Sequence, residues 1–134
     1  MKNLKLLLIA SIIIISCKPN KIELRDAKCT PEKVKPGESV LFSVNVNDPK
    51  GQVETITTRL VQYPDLVLML NDNGGQGDVV EGDGIWSIVF EMPSQASPRQ
   101  YDWEFRAYDD ADKRISAPEG EELRMQASFE FFSK

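Results

Sequence analysis

The side chains best suited to chemistry lie in one stretch. Asp72, Asn73, Asp78, Glu81 and Asp83 fall between positions 71 and 84, among five of the chain's eight glycines. Hard cations such as calcium take six to eight oxygens from carboxylates, amide carbonyls and the backbone. Asp72, Asp78 and Asp83 could supply carboxylate oxygens to such an ion, with Asn73 and backbone carbonyls adding more. Zinc and copper are a poor match, because the chain has no histidine and only two cysteines, and those metals favour imidazole and thiolate ligands.

The same composition also has a reading without an ion. Asp and Asn bond the backbone two residues on, and Gly supplies positive φ. A connection crossing between two sheets would use these residues as turn caps. The window from Asp72 to Asp83 places Gly77 sixth, as in an EF-hand loop. Gly74 and Gln76 stand where that loop requires Asp or Asn, the last place lacks Glu, and the flanks read as strands, so it is not an EF-hand. Calcium and turn capping both remain open at this stage.

Catalysis finds little support. No G-x-S-x-G elbow and no phosphate-cradling glycine motif before a helix is present. Two acids suffice for glycoside hydrolysis, and Asp72, Asp78 and Asp83 could approach one another, but no cleft residues accompany them. The expectation is a protein that is not an enzyme.

Cys17 is the second candidate. Lys2 and Lys5 open the chain, Leu6 to Ile15 is apolar except for Ser11, and Ile14-Ile15-Ser16-Cys17 follows. A basic start, a short apolar core and a small residue before a cleavage point make a secretory signal. The run is too short for a spanning helix of about 20 residues. The segment resembles the bacterial lipobox, and that resemblance implies a lipidated Cys17 as mature N-terminus, carrying a diacylglyceryl thioether and an N-acyl group. One acyl chain anchors only marginally, so several are needed for stable membrane attachment. The implied organisation is a signal peptide at 1–16, a lipidated N-terminus and short tether at 17–21, and one domain at 22–134. Lys18 replaces the Asp that favours inner-membrane retention, which points to the outer membrane of the cell envelope.

With Cys17 lipidated, Cys29 has no disulfide partner. No histidine exists to activate it, so it reads as a small buried hydrophobe. Without Lys2 and Lys5 the basic count falls from 16 to 14 against 21 acids, a formal charge of −7. An acidic surface repels nucleic acid and anionic headgroups, and no basic-aromatic stripe offsets it. The partner expected beyond the membrane is an envelope protein or a glycan.

The elements that would position these residues are short strands. Ile22, Leu24 and Ala27 to Cys29 mark the first, ended by Thr30-Pro31. Ser39 to Asn47 alternates cleanly, with Val40, Phe42, Val44 and Val46 on one face. Val53 to Tyr63, with Ile56, Thr58 and Leu60 inward, and Leu66 to Leu70 lead into the acidic loop. Trp86, Ile88, Phe90 and Met92 alternate after it. Tyr101, Trp103, Phe105 and Ala107 alternate next, with Asp102, Glu104 and Arg106 outward. Leu123, Met125, Ala127, Phe129 and Phe131 close the series. About seven antiparallel strands separated by turns predict an all-β sandwich, and its aromatic stripes predict core. Tyr63, Tyr101 and Tyr108 are the aromatics left for a sugar platform, and Tyr101 itself reads as core.

Two further stretches carry a resemblance. Thr30-Pro31, Val34-Lys35-Pro36-Gly37-Glu38-Ser39-Val40 and Asp48-Pro49-Lys50-Gly51 look like the opening of bacterial immunoglobulin-like domains. Leu70 to Asp78 with Glu81-Gly82-Asp83-Gly84-Ile85-Trp86-Ser87 is similar to the D-D-G-x-x-G-D-x-x-x-G-D-G-x-Y loop of such domains in exported proteins. Trp86 replaces the usual Tyr, and Asn71 or Asn73 replaces a usual Asp. The resemblance implies an immunoglobulin-like sandwich acting as a binding or accessory module, with calcium-binding adhesion-type and carbohydrate- or solute-binding modules as alternatives.

Overall fold

A computed structural model describes residues 21–72, 84–117, 120 and 122–132. The expected signal peptide at 1–16 and the expected lipidation site Cys17 lie outside the described residues. Among the described residues, eight strands follow in order: β1 Glu23–Thr30, β2 Lys33–Val34, β3 Ser39–Asn47, β4 Thr55–Leu60, β5 Val67–Met69, β6 Ile85–Glu91, β7 Arg99–Tyr108 and β8 Arg124–Phe131. They form a three-stranded sheet ordered β1-β3-β6 and a five-stranded sheet ordered β2-β8-β7-β4-β5. One core joins the two sheets: Phe42 on β3 meets Trp103 on β7 with ring centroids 4.6 Å apart, and Phe129 on β8 at 6.2 Å.

The two strands with the strictest alternation, β3 and β7, are the central strands of their sheets. A central strand has neighbours on both sides, so its inward side chains are fully covered and period-two patterning is strongest there. Val40, Phe42, Val44 and Phe105 have no solvent exposure. The expected inward set of β6 is weaker. Trp86, Ile88 and Phe90 pack against the core but stay half-buried, because β6 is an edge strand. Met92, just beyond it, is buried.

β1 shows how parity is repaired. Leu24 and Cys29 are both buried, although five residues apart, which a regular strand forbids. Arg25 pairs with Asn45 and Lys28 with Ser43, so β1 carries one residue more than β3 between these pairs. That is a β-bulge, which turns the following side chains over. Asp26 takes up the irregularity at φ 51, a region that Asp tolerates better than most residues. β1 ends at the cis peptide between Thr30 and Pro31.

Two expectations need correction. The strands among the described residues number eight, and not all are antiparallel: Lys33 and Val34 run parallel to Glu130 and Phe131. The two-residue β2 lay hidden in what reads as a turn, because Val34 alone supplies its buried side chain. The expected strand Val53 to Tyr63 is also shorter, ending at Leu60. There the chain bends through hydrogen bonds from Tyr63 N to Leu60 O and from Leu66 N to Tyr63 O, in keeping with Pro64, whose ring fixes φ and which has no N–H to give a ladder.

Candidate functional site: the loop root and the outer sheet face

The acidic stretch leaves β5 in one sheet and enters β6 in the other, as a crossing connection should. Its root is pinned. Asn71 and Ser87 exchange backbone hydrogen bonds of 3.0 and 2.9 Å, and Asn71 Nδ2 donates to Ser87 O at 3.1 Å. Gly84 N donates to Asp72 Oδ2 at 3.1 Å, and Val46 N donates to Gly84 O at 2.8 Å. Gly84 sits at φ +83, and a Cβ there would stand 3.3 Å from Val46 O. Only glycine meets both demands without strain. Asp72 therefore works as a backbone cap. Asn73, Asp78, Glu81 and Asp83 lie outside the described residues. Among the described residues, no three His, Cys, Asp or Glu side chains gather closely enough to hold a metal ion.

Two other acids have the same job. Asp48 accepts from Gln52 N and Val53 N at 2.8 and 2.9 Å. Asp109 accepts from Ala111 N and Lys113 N at 2.9 and 3.0 Å, and the Lys113 and Ala111 amides hold its carboxyl below the usual range. Each carboxylate closes a turn by taking amide protons that no strand satisfies.

The outer face of the five-stranded sheet is organised differently. Glu104 points away from the core, as its parity requires, yet is only 7% exposed. Arg106 covers it with a hydrogen bond from Nε to Glu104 Oε1, and Arg124 Nη1 reaches Glu104 Oε2 at 3.4 Å from β8. Burial works against the Arg106 charge, but hydrogen bonds to Glu104 and Tyr108 outweigh it and hold its pKa above the ordinary guanidinium value. One step along β7, Asp102 accepts from Ser128 Oγ at 2.6 Å, Gln100 Nε2 at 2.8 Å and Gln62 Nε2 at 2.9 Å. The Ser128 and Gln100 bonds lead in lowering its pKa. Sequence alone marks Glu104 and Arg106 only as outward. The cluster emerges once register sets Arg59 opposite Glu104 and Arg124 opposite Arg106.

The remaining candidates are placed as follows. Cys29 is free and buried, and burial, then the nearby Glu32 charge, pushes its thiol up to about 12. Tyr101 is half-buried, lies 5.8 Å from Phe129 and donates its hydroxyl to Ser97 O at 2.7 Å. Tyr63 is 62% exposed at the tip of the β4–β5 turn.

No protein-family model matches the chain, and no curated protein matches it in sequence. Among solved structures it is similar to the alkylpurine DNA glycosylase AlkC of Pseudomonas fluorescens bound to DNA containing an abasic site analog. The identity is 10% and the TM-score 0.45, over 84% of this chain and 30% of that one. It is also similar to the N-terminal domain of PorA, at 11% identity and TM-score 0.38, over 82% of this chain and 96% of that one. The chain thus spans less than a third of the glycosylase, and likeness at this level assigns no activity.

Proposed function

We propose that the chain is a lipid-anchored, extracytoplasmic, immunoglobulin-like binding module of the cell envelope, held by acyl groups on Cys17. The observation that carries this reading is the outer face of the five-stranded sheet. Its inner face closes the core, whereas its outer face holds a charged cluster around Glu104 that core formation does not require. The entry of the chain supports the anchor. Asn47 Nδ2 donates to Lys21 O at 2.8 Å, which fixes the chain four residues after Cys17. Four extended residues reach about 14 Å, so the module would ride close to the bilayer. Asn47 adjoins Val46, which bonds Gly84, so the root of the acidic loop shares the anchored end.

Expression in a bacterium with lipoprotein processing tests this. The full chain is expected to partition with membranes and to incorporate labelled palmitate, and Cys17→Ala to lose both. A full chain recovered entirely in the soluble fraction without label would sink the anchor. The second reading is a carbohydrate-binding lipoprotein, favoured by exposed Tyr63. A glycan array decides it: saturable binding that Tyr63→Ala abolishes would replace the protein-partner reading.

A further inference from the structure

Charged side chains on the outer face of the five-stranded sheet mostly satisfy one another. Arg59 is different. It stands on β4 directly opposite Glu104 on one side and Val67 on the other. Glu104 is engaged by Arg106 and Arg124 instead. Arg59 Nε is buried and donates to no acceptor among the described residues. A buried donor without an acceptor is unfavourable, and its partner is worth finding.

Beside it lies a cleft of about 170 Å³ lined by Arg59, Val61, Pro64, Glu104 and Arg106. Two guanidiniums and one carboxylate give this lining one net positive charge, on a chain whose sequence charge is −5. Arg124, 57% exposed on its side chain, reaches Glu104 from β8 and does not line the cleft. Asp102 shares the face, but its carboxylate is taken up by Ser128, Gln100 and Gln62. Val61 and Pro64 make the other wall apolar, with Val61 44% exposed.

We infer that this cleft is a binding site for a small monocarboxylate carried on an apolar group. Arg59 Nε is occluded in the unliganded chain, so the side chain must turn into the cleft it lines, where its planar guanidinium matches a carboxylate with two parallel hydrogen bonds. Glu104 keeps the net charge of the lining at one, which suits a monoanion better than a phosphate dianion. Val61 and Pro64 receive the apolar part. The site names a ligand class for the binding module proposed above and rests on that reading. Membrane partition tests the anchor, and the experiment below tests the cleft, so the two fail separately.

The test is titration of the full chain, in zwitterionic lipid nanodiscs, with butyrate, n-butanol or inorganic phosphate, followed by NMR of arginine Nε–H and backbone amides. Butyrate is expected to move the Arg59 Nε–H signal saturably. Butanol is expected to leave it in place, and phosphate to act more weakly than butyrate. Arg59→Gln should weaken butyrate at least about tenfold, as loss of a charge-assisted pair does, with Arg59→Lys between. Val61→Asp, at an exposed position, should weaken it as well and guards against a misfolded Arg59 variant. No saturable shift with butyrate overturns the site, and a phosphate response equal to butyrate overturns the ligand class. Unchanged butyrate affinity in a folded Arg59→Gln protein assigns Arg59 to packing and overturns the proposal.

Discussion

The two faces of β7 are made by one stretch of chain and held by different physics. Inward, Trp103 and Phe105 meet Phe42 at centroid distances of 4.6 and 6.5 Å, and Trp103 stacks with Phe129 at 6.4 Å. Such contacts are non-directional and scale with area removed from water. Outward, Asp102, Glu104 and Arg106 depend on directed hydrogen bonds and charge. The inner face tolerates any good fit of volume. The outer face requires particular atoms in particular places, so it is the face on which specificity for another molecule could be written.

The largest expected effect therefore lies inside. Phe105→Ala removes a fully buried ring and leaves a cavity, with an expected loss of about 3–5 kcal/mol in denaturant unfolding. A loss under about 1 kcal/mol would mean that the two sheets do not share the tight core described here. Glu104→Ala should destabilise by less, about 1–3 kcal/mol. It strips Arg106 and Arg124 of their acceptor and leaves Arg59, Arg106 and Arg124 to repel. The loss stays moderate because the Arg124 side chain is 57% exposed and can turn to water. If Glu104→Ala costs as much as Phe105→Ala, the outer cluster is part of the structural core and the contrast between the faces fails.

The inner face was legible in the sequence and the outer face was not. Alternation of Tyr101, Trp103, Phe105 and Ala107 declares a buried stripe whatever the neighbours are, because period two follows from backbone geometry alone. Glu104 followed by Arg106 reads as an ordinary solvated face. Recognising it as a buried carboxylate requires knowing that β4 and β8 flank β7, with Arg59 and Gln126 opposite Glu104. Pairing is a tertiary fact, set by register across the 44 residues of sequence between Arg59 and Glu104. The two-residue β2 was missed for the same reason, since its partner Phe131 is near the far end of the chain. The acidic loop attracted notice by composition, and at its root Asp72 accepts a hydrogen bond from Gly84 N. Asp48 and Asp109 act alike, so all three carboxylates cap backbone amides.

The smallest effect separates the two acids of the outer face. Ser128 and Gln100 hydrogen bonds, with Gln62 and the Arg99 charge assisting, lower the Asp102 pKa below its ordinary value of 3.8. A carboxylate depressed in the folded state contributes stability above its unfolded pKa and loses it as pH falls through the folded value. Stability should therefore be flat from neutral pH down to about 4 on this account, then decline, and Asp102→Asn should flatten the decline. The carboxylate is largely solvated, so its share is below about 1 kcal/mol, and it is best read as the difference between the two pH profiles. A variant profile that overlays the parent below pH 4 would show that folding does not depress the Asp102 carboxyl. The ordered part of the outer face would then shrink to Glu104 and its arginines.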